Sequence, residues 1–212
     1  MEYKIGQIKE TLKYCALLVS DQKEQLEKID SQVGDGDLGI SMRKGATAVV
    51  EEIDRYGGND PGALFMKCAM ALNKAAPSTM GTLLCAGLMQ MGKVFAKKEV
   101  LKEAEIAEIP SLFAQAIMDR GRAKKGDRTV LDALLPMAEA IKAAFDAGRS
   151  LAEAIAVGAE AARSGMEKTK EMVPKVGRSK WAPENTKNVP DGGAVLCWIV
   201  AQGLAERSEQ KK

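Results

Sequence analysis

The stretch QVGDGDLGIS, residues 32–41, alternates acid and glycine and then runs straight into Met42, Ala46, Val49 and Ile53, spaced three and four apart. That spacing puts one apolar stripe on a helix, so the stretch reads as a loop entering a helix rather than as a strand. Upstream, Ile5, Ile8, Leu12, Cys15 and Val19 make the face of a first helix, at whose far end Asp30 stands five residues before Asp35. The question the stretch raises is whether it is a solvated turn or a device for holding a metal and a phosphate.

Working outward, the same period recurs along the chain. The helix after the motif ends at Gly57-Gly58, and Asn59-Asp60-Pro61 predicts an aspartate N-cap with proline at the first helical position, opening a third helix through Leu64, Cys68 and Leu72. A fourth is predicted over about residues 81–96, and a fifth ends near Gly121. Asp127 is expected to cap a sixth through Val130, Leu134, Met137 and Ile141, kinked at Pro136. Ser150-Leu151-Ala152-Glu153 is a capping-box pattern opening a seventh, and an eighth is predicted over about 193–207. No segment reads as a strand. Aromatic residues are only 4% of the chain, which agrees, because strands draw on aromatic and β-branched side chains. The expectation is one all-α domain over residues 1–212, built from about eight helices.

Composition removes several function classes. Thirty-one basic residues against 29 acidic leave a net charge of +2, too small to point to nucleic acid or a membrane surface. No apolar run approaches the roughly eighteen residues that suggest a membrane span, and residues 1–10 contain no signal-peptide core. Cysteines 15, 68, 85 and 197 are scattered with no CxxC pair, so free buried thiols in a cytoplasmic protein are expected rather than disulfides or zinc. The chain has no histidine, which excludes a histidine base, metal ligand or phosphocarrier within it.

Four helix breaks carry more glycine and functional groups than a turn requires: residues 30–41, 75–82, 121–132 and 175–194. In an up-and-down arrangement alternate breaks share one end, so these four are predicted to converge. Asp30, Asp35 and Asp37 offer the hard oxygen ligands magnesium takes, and the glycine-rich spacing lets Asp35 and Asp37 turn to one ion. An EF-hand does not fit, since counting from Asp35 position six is Ile40 and position twelve is Ala46. Gly39-Ile40-Ser41 opens a helix, where free amides and the helix dipole favour phosphate. Ser78 and Thr79, in PSTMGT, stand at another helix start and read equally as a plain cap. Arg178, in the basic loop KVGR, can neutralise phosphate by a forked pair of hydrogen bonds or simply face solvent. The methionines fall at helical spacing and read as core.

Taken in order, GDGDLG with Ile29-Asp30, STMGT, GDRT with Asp132, and GR followed by DGGA at residues 191–194 resemble the nucleotide-binding L subunit of dihydroxyacetone kinases, the DAK2 domain family. The resemblance spans essentially the whole chain. It implies an up-and-down antiparallel eight-helix barrel with ADP or ATP and two magnesium ions in the loops at one end. Asp30, Asp35 and Asp37 match the metal ligands and, with Arg178, the residues that carry transfer. Leu38, Gly39, Ile40, Ser41, Ser78, Thr79, Gly121, Val130, Arg178, Asp191, Gly192 and Gly193 match the nucleotide contacts. The implied partner is a substrate-binding kinase subunit that holds a small ketose, dihydroxyacetone or a relative such as erythrulose, on its own histidine. The donor is ATP or a phosphotransferase-system phosphocarrier, and a homodimer stays open. Three departures mark a diverged branch: Leu38 replaces the family histidine of GDGDHG, the segment before Gly81 is shortened, and Arg128 replaces the lysine of GDKT. The rival readings are a non-catalytic nucleotide-sensing subunit and a DAK2-type kinase acting on a lipid acyl group held by another protein.

Overall fold

The computed structural model describes residues 1–209. Among them are nine α-helices: α1 (Ile5–Asp21), α2 (Lys23–Val33), α3 (Leu38–Arg55), α4 (Pro61–Ala75), α5 (Thr79–Val94), α6 (Glu103–Gly121), α7 (Leu131–Asp146), α8 (Leu151–Lys168) and α9 (Gly192–Glu209). The count exceeds the expected eight because the segment leading to Asp30 is broken at Gln22. The two pieces serve different parts of the core. Ile8 and Ala16 of α1 join the cluster of α3, α4 and α5, whereas Leu26 of α2 is wholly buried among Leu38, Met42 and Val195. A single straight helix could not point both stripes inward.

From α3 onward each helix packs on the next, and α1 packs on both α3 and α9, which closes a ring. Most connections are short, so successive helices reverse direction, as an up-and-down barrel requires. The caps read from the sequence are present. Asp60 Oδ1 accepts from the amides of Gly62 at 2.8 Å and Ala63 at 3.2 Å, with Pro61 at the first helical position. Ser150 and Glu153 form the reciprocal box at the start of α8. Alanines 69, 133, 154, 162, 194 and 201 are fully buried, and these small side chains let helix axes approach closely.

Two differences from expectation are local. Glu2–Lys4 (β1) pairs antiparallel with Val100–Lys102 (β2), Tyr3 opposite Leu101, a ribbon tying the start of α1 to the α5–α6 connection. Strands of three residues are too short to display an alternating pattern. Asp127 does not cap α7. Its carboxylate accepts from the Lys124 amide within its own turn, while Asp132 reaches back from the first turn of α7 to the amides of Gly126 and Thr129. Pro136 lies inside α7. Among the described residues no helix is long and apolar enough to cross a membrane.

Candidate functional site

The loop between α2 and α3 is built around its glycines. Gly36 adopts φ +75°, a left-handed conformation that side chains disfavour, and a Cβ there would meet Ser31 Oγ at 2.6 Å. With the turn closed, one carboxylate oxygen each from Asp30, Asp35 and Asp37 lies within 4.8 Å of the others. Asp30, at the end of α2, also accepts from the Leu38 amide at 3.2 Å. Asp37 occupies the N-cap position of α3, yet its side chain makes no capping bond, so its carboxylate is left for the cluster. Three half-exposed carboxylates this close repel one another unless a cation sits among them. A hard divalent ion fits the donor set.

A cation of the protein does reach them. Arg178 opens a 3₁₀ turn, forms an ion pair with Asp35, and has Nη2 3.9 Å from Asp37 Oδ2. All three side chains are about half exposed, so the pair adds little to stability but fixes where the guanidinium waits.

Contacts at the glycines of α9 establish how the four breaks meet. A Cβ at Gly192 would lie 2.7 Å from Leu38 Cδ2. One at Gly193 would lie 2.6 Å from Met80 Cε and 3.1 Å from Val130 Cβ. The starts of α3, α5, α7 and α9 therefore abut, bringing Leu38, Met80, Val130, Gly192 and Gly193 together. Gly121, at the end of α6, sits against Leu83, one turn along α5 from Met80. Ile40 is exposed and Ser41 half-buried on the opening turn of α3. Gly39 faces the other way: a side chain there would run into the backbone of α2 at Lys23 and Glu27, so packing alone requires glycine. Ser78 caps α5, accepting from the Gly81 amide at 3.2 Å, and Thr79 begins that helix.

Asp191 is the most perturbed acid of the group. Its Oδ2 accepts from the Ala194 amide at 2.9 Å, and its own amide donates to Thr169 Oγ1 at 2.9 Å. Burial of its carboxyl pushes its pKa up to about 6, against the lowering effects of the Ala194 amide and the Arg128 charge. Burial likewise pushes the thiols of Cys15, Cys68 and Cys197 up to about 12, which fits core cysteines and not nucleophiles.

In the sequence Arg128 stands out only as the replacement for the lysine of GDKT, with no role attached. It is 1% exposed, and its guanidinium donates to the carbonyls of Thr169 at 3.1 Å and Val189 at 2.8 Å. Nothing in the spacing of GDRT marks a buried arginine, because its partners lie 41 to 61 residues away.

Comparison with known proteins bears on the family and the fold. Residues 32–206 match the DAK2 domain. A putative 3,4-dihydroxy-2-butanone kinase of Solanum lycopersicum is 33% identical over 212 residues, covering 96% of this chain and 36% of the relative. An L-erythrulose kinase of Pectobacterium atrosepticum is 31% identical over 185 residues, covering 85% and 31%. The ADP-binding subunit DhaL of the PEP-dependent dihydroxyacetone kinase of Escherichia coli is 25% identical over 199 residues, covering 94% and 95%. The chain thus spans about a third of the first two relatives and nearly all of the third. The crystal structure of the dihydroxyacetone kinase of C. freundii superposes with a TM-score of 0.76 at 22% identity, over 95% of this chain and 34% of that one. The same enzyme in complex with AMP-PNP and Mg2+ gives 0.75, and at this identity the likeness bears on the fold. The matched region takes in Asp35 and Asp37, the abutting helix starts and Arg178, with Asp30 just before it, and the chain belongs to the DAK2 domain family.

Proposed function

We propose that the chain is the nucleotide-binding, phosphoryl-donor part of a kinase acting on a short ketose. The observation that carries this is the gathering of Asp30, Asp35 and Asp37 within 4.8 Å, against the start of α3 and beside Arg178. The aspartates would hold two Mg2+ ions, which would neutralise phosphate charge when bound. The Leu38 amide is held by Asp30 and the Gly81 amide by Ser78, and the remaining first-turn amides of α3 and α5 would suit an anion there. Met80, half-buried beside Gly193, offers apolar surface suited to the less polar part of a nucleotide, with the buried Val130 packed behind it. Arg178, waiting on Asp35 and Asp37, is one side-chain swing from a phosphate and would offset charge as it develops.

The acceptor would lie on another subunit or on the remainder of a longer chain. Three lines support this: the absence of histidine, the fraction of the relatives that the chain spans, and the name of the E. coli relative, an ADP-binding subunit. The named relatives act on dihydroxyacetone, erythrulose and 3,4-dihydroxy-2-butanone, which are all short hydroxylated ketones, so a ketose of three or four carbons is the acceptor class we infer. ADP that stays bound through purification and is rephosphorylated by a phosphocarrier would identify the donor as a carrier rather than free ATP.

Calorimetry provides the test. The chain is expected to bind ADP only with Mg2+ present. Asp35→Asn or Asp37→Asn should weaken that binding on the order of a hundredfold, since each removes a charged ligand from the ion. Unchanged affinity in both variants would refute the metal assignment.

A further inference from the structure

The segment between α8 and α9, residues 169–191, contains only short 3₁₀ turns yet carries Arg178 and delivers residues 191–193 to the candidate site. Loops this long and poor in regular structure need something to hold them. Apolar burial does little here: Val173 is 67% exposed and Trp181 80%. Hydrogen bonds hold the segment: the Asn188 amide donates to Lys170 O and the Asp191 amide to Thr169 Oγ1, and three more come from one side chain, that of Arg128. Its Nε donates to Thr169 O at 3.1 Å, and its Nη2 to Val189 O at 2.8 Å and Thr186 O at 3.5 Å. One planar fork thus grips both ends of the loop. Its neighbour Asp127 adds a tie to the middle, accepting the Lys175 amide at 3.2 Å.

The arrangement is costly to maintain. Arg128 adopts φ +62°, unusual for a residue with a side chain. Its guanidinium is desolvated, with Nη1 left unpartnered among the described residues, and the Asp191 charge offsets only part of that cost. A strained, buried cation that does no more than hold carbonyls would be replaceable by apolar packing. One whose hydrogen bonds set the geometry of a site would not.

We infer that Arg128 is a positioning residue of the candidate site. By holding the carbonyls of Thr169, Thr186 and Val189 it sets where Arg178 and residues 191–193 meet the phosphates of the ligand. This rests on the nucleotide reading above, and the two fail separately.

The test uses the full chain carrying Arg128→Met or Arg128→Gln, with Arg128→Lys as the charge-retaining control. In folded variants, amide exchange is expected to quicken within residues 169–191 and nowhere else. Mg-ADP affinity should fall at least tenfold, and Arg128→Lys should recover part of both while staying short of the wild type. Adding Arg178→Ala to Arg128→Met should cost much less than Arg178→Ala costs the wild type, because the guanidinium has already lost its station. A merely structural role would leave those two effects additive. Wild-type exchange and affinity in a folded Met or Gln variant, or full additivity, would overturn the inference. Should neither variant fold, Arg128→Lys decides it. Its ammonium cannot span all three carbonyls, so exchange in 186–191 at least twofold faster supports the role and unchanged exchange defeats it. Absence of Mg-ADP binding in the wild type would sink the functional reading alone, since the exchange measurements still report on positioning.

Discussion

In the proposed site Arg178 would serve two partners that exclude each other. Its guanidinium lies on Asp35 and Asp37, the oxygens a divalent ion would need. Arg178→Ala should therefore raise the affinity for Mn2+ alone by a few-fold while lowering the affinity for Mg-ADP. The Mn2+ effect should shrink at high salt, because the groups are half exposed. Electron paramagnetic resonance of free Mn2+ and calorimetry with ADP would separate the two, and a parallel fall in both would argue against the competition. Asp191 makes a pH prediction of definite sign. Its pKa is raised from the ordinary 3.8 to about 6, so the folded chain holds a proton that the unfolded chain has released. Its contribution to stability is present below about pH 4 and is lost as pH rises through about 6. The melting temperature of Asp191→Asn relative to wild type should accordingly climb between pH 4 and 7. A flat difference would mean the carboxyl is better solvated than its surroundings imply.

At the scale of elements, the helices end where local chemistry tells them to, and the two ends of the barrel can be perturbed independently. Asp60 satisfies the amides of Gly62 and Ala63 with one oxygen and the Lys97 amide at 2.9 Å with the other, at the end remote from the acidic loop. Asp60→Ala should cost about 1–2 kcal/mol, the usual worth of a cap, and lower the melting temperature by several degrees. Nucleotide affinity should be untouched, and a matching loss of affinity would mean the two ends are coupled. The acidic loop, the helix starts and residues 169–191 form the other end, where Gly36, Arg122, Gly126, Arg128, Gly177 and Asn188 have positive φ, as Lys97 and Gly148 do elsewhere. Backbone strain at residues with side chains, such as Arg128, is often a mark of a functional site.

For the molecule as a whole, a ring of helices closed by α1 against α9 supplies a rigid support for four loops that are far apart in the chain. If these loops hold Mg-ADP only when folded, ligand at a hundred times its dissociation constant should stabilise the chain by about 2.7 kcal/mol. Thermal denaturation with and without Mg-ADP measures this, and Asp35→Asn should abolish the shift. The chain by itself is expected to phosphorylate neither dihydroxyacetone nor erythrulose, and to do so only with an acceptor-holding partner. Turnover by the isolated chain would overturn that division of labour.

What the sequence by itself determined is local or ordered. Helical period, the caps at Asp60 and Ser150, and the glycine at position 36 depend on neighbours a few residues away. The series of motifs from GDGDLG to DGGA needs only their order, and it was enough to indicate the family. The tertiary structure decided everything that depends on distance through space. The break at Gln22 follows from two apolar faces that must point to different parts of the core. The need for glycine at position 39 comes from the backbone of α2, not from a ligand. The roles of Asp132 and Arg128 were hidden because a capping motif looks the same whether its charged residue faces water or holds carbonyls dozens of residues away. Burial sets the cost of a charge, and burial is a property of the closed barrel, so a buried arginine and the raised pKa of Asp191 could be recognised only once the ring had closed.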